Sequence, residues 1–140
     1  MYEVNSPPPI WLHINSYGGE VFAAFAIADT IERIKTTVPV VTIVEGCAAS
    51  AATIISTAAT RRLMRKNSYM LIHELSDGAW GKYTELQDNM KSNDDIMKTM
   101  KEWYKTHTKI KPEKLDEILR HDLWWNSATC KKLGLVDDII

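Results

Sequence analysis

Cysteine is scarce in this 140-residue sequence: Cys47 and Cys130 are the only two, far apart and each among apolar neighbours. That excludes a disulfide framework and fits a reducing, cytoplasmic compartment. The CxxC and HExxH spacings of metal sites are missing, and the four histidines, His13, His73, His107 and His121, are scattered, so neither a metal nor a cofactor is expected. Charge of neither sign dominates. Seventeen basic against 18 acidic side chains leave a net charge of −1, which argues against nucleic acid or an anionic membrane as partner. No apolar run approaches the ~20 residues that span a bilayer. No basic segment followed by an apolar stretch marks a signal peptide. Internal repeats and low-complexity segments are also absent. The length fits one domain, and 45% hydrophobic residues supply its core.

What is present centres on residues 40–52. The β-branched run 40–44 reads as a buried strand. Gly46 breaks it, and the small residues Cys47, Ala48 and Ala49 follow. Ser50 then opens an Ala-rich helical segment, residues 50–59, free of Pro and Gly. A hydroxyl at a helix start, beside unpaired backbone N–H groups and small neighbours, suits a nucleophile. It suits a plain helix N-cap as well.

The surrounding pattern alternates strand and helix. Residues 1–9 form an extended lead-in ending in Pro7-Pro8-Pro9. Residues 10–15 read as a strand, and Ser16-Tyr17-Gly18-Gly19 as a turn needing positive φ. Residues 21–35 carry Val21, Phe22, Phe25, Ile27, Ala28, Ile31 and Ile34 at helical spacing, which predicts a broad buried face. With the strand at 38–44 they make a parallel strand–helix–strand unit. Further on, residues 69–73 read as a short buried strand, 76–81 as a glycine-bounded loop, and 83–107 as one long helix. Leu86, Met90, Met97, Met100 and Tyr104 line one side of that helix, which is too long to be covered by its own domain, so a partner subunit is expected. Shorter helices follow at 112–120, with Pro112 in the first turn, and at 127–132. The class is α/β.

Four stretches, taken in order, resemble the proteolytic subunit of the Clp protease (the ClpP family, peptidase family S14). Ile14-Asn15-Ser16-Tyr17-Gly18-Gly19 is similar to its I-N-S-P-G-G turn, and Gly46-Cys47-Ala48-Ala49-Ser50-Ala51 to its G-x-A-A-S-M serine motif. Met70-Leu71-Ile72-His73-Glu74-Leu75 resembles the M-I-H-Q-P segment that carries the family's histidine. His121-Asp122-Leu123-Trp124-Trp125, with Gly134-Leu135-Val136-Asp137, resembles R-D-x-F followed by G-L-[IV]-D, whose first aspartate completes a triad.

The resemblance implies a ClpP/crotonase-like fold of repeated β-β-α-type units with a long protruding handle helix, and one peptidase domain over residues 10–140. It implies a serine endopeptidase in which Ser50 is the nucleophile, His73 the general base and acid, and Asp122 the group that orients the histidine. The backbone N–H groups of Gly19 and Ala51 would form the oxyanion hole. This division of labour has a physical basis. A serine hydroxyl attacks poorly until an imidazole takes its proton, and the imidazole needs a carboxylate on its other nitrogen to fix its tautomer. From the residues alone, His73 could instead be an ordinary strand-end histidine, and Asp122 a cap for the segment after it. The implied partners are a polypeptide substrate, copies of the same chain in one ring or two stacked rings, and an AAA+ ATPase unfoldase; no nucleic acid and no membrane are implied.

Departures are visible. Tyr17 replaces the family's Pro, Ala51-Ala52 its Met-Gly, Glu74-Leu75 its Gln-Pro, and His121 its Arg. Only 13 residues precede the Ile14 motif, so the family's axial loop, first strand and first helix are expected to be missing. Tyr17 and Ala51 are also reminiscent of phage-type members, which raises a capsid-maturation protease as an alternative. A catalytically silent structural subunit of a mixed ring is another, disfavoured because all three triad positions are filled. An acyl-CoA-binding crotonase is disfavoured by the Ala-Ala-Ser-Ala run with a distant Ile-His.

Overall fold

The computed structural model describes residues 6–140. Residues 6–9 of the expected lead-in form no regular element; the rest of that expectation lies outside the described residues. The chain then runs β1 (Ile10–Ser16), α1 (Val21–Ile34), β2 (Val40–Ala49), α2 (Ala51–Thr57), β3 (Arg61–Met64), β4 (Tyr69–Leu71), α3 (Tyr83–His107), α4 (Pro112–Leu119), β5 (Trp125–Asn126), α5 (Ser127–Lys132) and β6 (Asp138–Ile139). The architecture is mixed α/β.

The sheet is built on β2, which pairs in parallel with β1, β3 and β4; β6 extends it in parallel beyond β3, and β5 in antiparallel beyond β4. Gly46 does not end β2. The strand continues to Ala49 through a bulge, because Ile14 faces Val44 whereas Ser16 faces Ala48. Gly46 takes φ +83°, and a Cβ there would lie 2.8 Å from Asn15 Oδ1. The polar groups exposed by the bulge are satisfied: Cys47 N–H donates to Asn15 Oδ1, and Gly46 N–H to Ser68 Oγ. Past the bulge β2 changes neighbours. Residues 41–44 pair with β3, and 47–49 pair with β4. The short strands β3, β5 and β6 were not legible as periodicity, since two to four residues are too few to show a period of two.

The core gathers under β2 and around α2, including Val44, Ile54, Met64, Met70, Tyr104 and Leu115. Ala24 and Ala28 of α1 and Ala52 of α2 are buried, and small side chains at these positions let the two helices approach closely. The apolar face of α1 is narrower than its sequence predicts. Ala24, Ala28 and Ile31 are buried, while Phe22 and Ile27 are exposed. Arg62 on β3 joins distant parts of the chain. Its guanidinium donates to the Asp137 carboxylate and to the carbonyls of His107 and Gly134. Both cysteines are free thiols, and burial pushes that of Cys130 up to about 12.

α3 has the bounds expected from sequence, and its two halves differ. Met100 and Tyr104 are buried in the domain, whereas Leu86 and Met90 stand exposed, as do Trp80 and Tyr83 beside the helix start. Among the described residues, no helix is long and apolar enough to cross a membrane.

Candidate active site

Ser50 sits where β2 turns into α2, with φ 53° and ψ −128°. It is the one non-glycine residue with positive φ among the described residues, and such a conformation costs roughly 1–3 kcal/mol. The capping alternative fails here: the Ser50 side chain makes no cap hydrogen bond. A serine on a sharp, strained strand-to-helix turn presents its hydroxyl outward. The surroundings hold the strain. Ser50 N–H donates to Leu71 O at 2.8 Å, and Ser50 O accepts from Thr53 N–H at 2.9 Å and Thr53 Oγ1 at 2.6 Å. Thr53 Oγ1 also lies 2.7 Å from Tyr104 Oη. The threonine proton is committed to Ser50 O, so Tyr104 is the donor in that second bond. Burial pushes the Tyr104 phenol up to about 12, which keeps its proton in place. A chain of hydrogen bonds thus runs from α3 to the turn.

The turn at Gly18-Gly19 packs on this one. Gly18 takes φ +96°, and a Cβ on it would lie 2.6 Å from Ala49 O, 2.9 Å from Ser50 Cβ and 3.0 Å from Ala51 N. Only glycine allows so close an approach. Gly18 N–H donates to Ser16 Oγ at 3.1 Å; among the described residues no hydrogen bond uses Gly19 N–H. Ala51 is the first residue of α2, so its N–H has no intrahelical acceptor. Gly19, Ser50 and Ala51 share a cleft of ≈ 360 Å³ with the apolar side chains of Phe22, Leu75 and Ile96. Asp77 also lines it. The side-chain amides of Asn93 and Asn89 on α3 hold the Asp77 carboxyl below the usual carboxylate range.

His73 lies two residues past β4 and Asp122 in the stretch between α4 and β5. His73 Nδ1 is 2.9 Å from Asp122 Oδ1, a contact across 49 positions of sequence. Both ends of the Asp122 stretch are pinned to the segment that carries His73. Glu74 N–H donates to Leu119 O at 2.7 Å, and Trp125 of β5 pairs with Met70 of β4. The His73 side chain is 26% exposed and that of Asp122 77%. Glu74 joins the two halves of the site, since it follows His73 and lines the Ser50 cleft. Among the described residues no hydrogen bond links the Ser50 hydroxyl to His73. Such bonds are often long in unliganded enzymes and tighten with substrate.

Two of the other histidines are engaged elsewhere. His13 pairs with Glu45 at 3.3 Å. His107 stacks on Trp103, with ring centroids 3.7 Å apart, and bonds Glu32 on α1 at 2.9 Å. No group of three or more His, Cys, Asp or Glu side chains among the described residues could hold a metal ion.

The Clp protease family model matches residues 2–140. The chain belongs to the Clp protease family. The ATP-dependent Clp protease proteolytic subunit of Deinococcus radiodurans is 33% identical over 138 residues, covering 97% of this chain and 67% of the relative. Subunit 2 of Treponema denticola is 34% identical over 141 residues, with 99% and 70% covered. Subunit 3 of Streptomyces avermitilis is 35% identical over 133 residues, with 94% and 60% covered. The mixed sheet and five helices are those of the ClpP/crotonase-like fold, and family membership makes this a ClpP-type peptidase, a hydrolase. For a Clp-family chain, the sequence motifs overlooked several supports of the site: Gly18 against the serine turn, Asn15 under the bulge, and Thr53 with Tyr104 behind Ser50. The positive φ read for the Gly18-Gly19 turn and Asn15, a polar residue near the end of an apolar strand, were the available signals.

Proposed function

We propose that this chain is a serine endopeptidase in which Ser50 attacks the peptide carbonyl. The observation that carries this reading is the 2.9 Å contact between His73 and Asp122, formed beside the strained Ser50 turn. With Asp122 ionised, that contact requires Nδ1–H to donate. Nε2 then keeps its lone pair and can take the Ser50 proton. The imidazolium formed is stabilised by the carboxylate and returns the proton to the leaving amine, releasing the first product and leaving an acyl-serine. Water, activated by the same histidine, hydrolyses the ester and restores Ser50. The tetrahedral oxyanion would be received by the N–H groups of Gly19 and Ala51, each such donor contributing on the order of 10²–10³ in rate.

On this reading residues 10–140 are one peptidase domain acting in the cytoplasm, where Cys47 and Cys130 stay reduced. The substrate is unfolded polypeptide, cut inside a ring of identical chains fed by an AAA+ unfoldase. The names of the relatives, each a subunit of an ATP-dependent protease, support that setting, as do the exposed side chains of Tyr83, Leu86 and Met90 on α3. The test is labelling with a fluorophosphonate and cleavage of a fluorogenic peptide, with native mass read on the same sample. Ser50→Ala should lose both labelling and cleavage with little change in Tm. Undiminished cleavage by Ser50→Ala removes Ser50 from the mechanism.

A further inference from the structure

At the active-site end of the sheet four strand ends lie side by side. Ser16 of β1 pairs with Ala48 of β2, Cys47–Ala49 of β2 with Tyr69–Leu71 of β4, and Met70 of β4 with Trp125 of β5. The order across this end is β1, β2, β4, β5. The Gly18-Gly19 turn leaves β1, Ser50 leaves β2, His73 follows β4, and Asp122 precedes β5. Three inter-strand spacings separate the outer two, about 14 Å. That gap is bridged. The rings of Tyr17 and Trp124 meet edge to face, with centroids 6.1 Å apart and planes at 88°, a favoured aromatic geometry.

Each ring is coupled by the backbone to a site residue. Tyr17 directly precedes Gly18, which packs against Ala49 O and Ala51 N, and the next residue, Gly19, lines the cleft with Ser50 and Ala51. Trp124 is two residues from Asp122, in a stretch without helix or strand between α4 and β5. The rings are not buried by the core: Tyr17 is 80% exposed and Trp124 43%. Two side chains of this size on opposite flanks are what a ~14 Å gap requires, and truncating either one leaves the other unable to reach.

We propose that Tyr17 and Trp124 form a strap across the catalytic end of the sheet and act as positioning residues, holding the acid-bearing loop and the oxyanion-binding turn in register about Ser50. This rests on the serine-peptidase reading above. Reacting groups must be held within about 0.5 Å for full turnover, and an exposed aromatic pair of this kind is worth roughly 2- to 12-fold in an equilibrium or rate.

The test is a double-mutant cycle on turnover of a fluorogenic peptide by the full chain in its native assembly, using Tyr17→Ala, Trp124→Ala and the double variant. Each single variant should lower kcat by about 2- to 12-fold with KM changed less than about twofold. The double variant should be no worse than the poorer single, because one contact is lost in all three. Tyr17→Phe, which keeps the ring, should restore kcat. Independent losses that multiply in the double variant, a change confined to KM, or an unaltered kcat in Tyr17→Ala each overturn the strap. The last of these stands on its own if Trp124→Ala folds poorly, since Tyr17 is largely exposed. Failure of the underlying reading has a different signature: the parent chain itself would cleave no peptide and take up no fluorophosphonate.

Discussion

Gly18→Ala tests how the serine turn and the glycine turn are built together. The added methyl would meet Ala49 O at 2.6 Å, about 0.9 Å short of a comfortable ~3.5 Å contact. Two of its three nearest atoms, Ala49 O and Ala51 N, are backbone and cannot rotate away. The turn itself must therefore move. An alanine held at φ +96° costs roughly 1–3 kcal/mol, and overpacking against backbone adds about 1–3 kcal/mol. Part of the clash relaxes when the turn retreats, so a net loss of about 2–4 kcal/mol is expected. Such a loss lowers Tm by ~10 °C for a chain of this size and leaves the domain folded, given a total stability of about 5–15 kcal/mol. The retreat shifts Gly19, the next residue, relative to Ala51 in the cleft that both line. If Gly19 N–H is an oxyanion donor, as proposed above, kcat should fall by about 10²–10³, with a smaller change in KM. The assay is peptide cleavage at saturating substrate, paired with thermal unfolding of the same sample. Turnover within about threefold of the parent, well under the loss expected for a missing oxyanion donor, would refute the account of Gly18 as the residue that seats this turn.

Other outcomes follow from the same contacts. Tyr104→Phe removes the phenol that donates to Thr53; it should cost about 1–2 kcal/mol in urea unfolding and lower kcat, and a neutral result would detach α3 from support of the serine turn. Arg62→Ala strips hydrogen bonds from the carbonyls of His107 and Gly134 and from Asp137 and should cost about 3 kcal/mol. Burial works to raise the Asp137 pKa, but the side-chain and backbone hydrogen bonds of Arg62 outweigh it and hold the carboxyl low. A depressed carboxylate stabilises the fold above its unfolded pKa of about 3.9 and loses that effect as pH falls through the lower folded value. Acid unfolding of the parent should therefore steepen below about pH 4, and Arg62→Ala should flatten that limb; identical acid limbs would discount the pair. Leu86→Asp with Met90→Asp alters exposed side chains of α3 and should reduce native mass and activity with monomer Tm unchanged. An unaltered native mass would exclude this half of the helix from assembly. Met100 is unsuited to that test, because it is buried in the chain's own core.

Much of the fold was written in local pattern. The period of α3, the β-branched run of β2, and Pro112 at the start of α4 each express a preference that acts over a few residues, so their positions could be read directly. Gly46 could not. A glycine after a strand reads as a stop, and it became a bulge because Asn15 and Ser68, 31 and 22 positions away, satisfy the backbone there. Exposure on α1 was misjudged for a related reason. Periodicity shows which residues share a face, whereas the depth of the neighbouring packing decides how much of that face is covered, and Phe22 and Ile27 lie beyond it.

The candidate site divides in the same way. Sequence alone determined which residue types were available: a serine before a small-residue helix, a histidine at a strand end, an aspartate ahead of two tryptophans. Tertiary structure decided their relations. The positive φ of Ser50 depends on the bond from its N–H to Leu71 O. The meeting of His73 with Asp122 depends on Leu119 and Trp125 being docked on the segment around β4. The approach of Gly18 to Ala51 depends on β1 lying against β2. Each of these joins residues far apart in the chain, and such pairs are brought within reach only when the sheet closes. A propensity that acts over a few residues cannot encode that closure; the free energy of the packed core selects it.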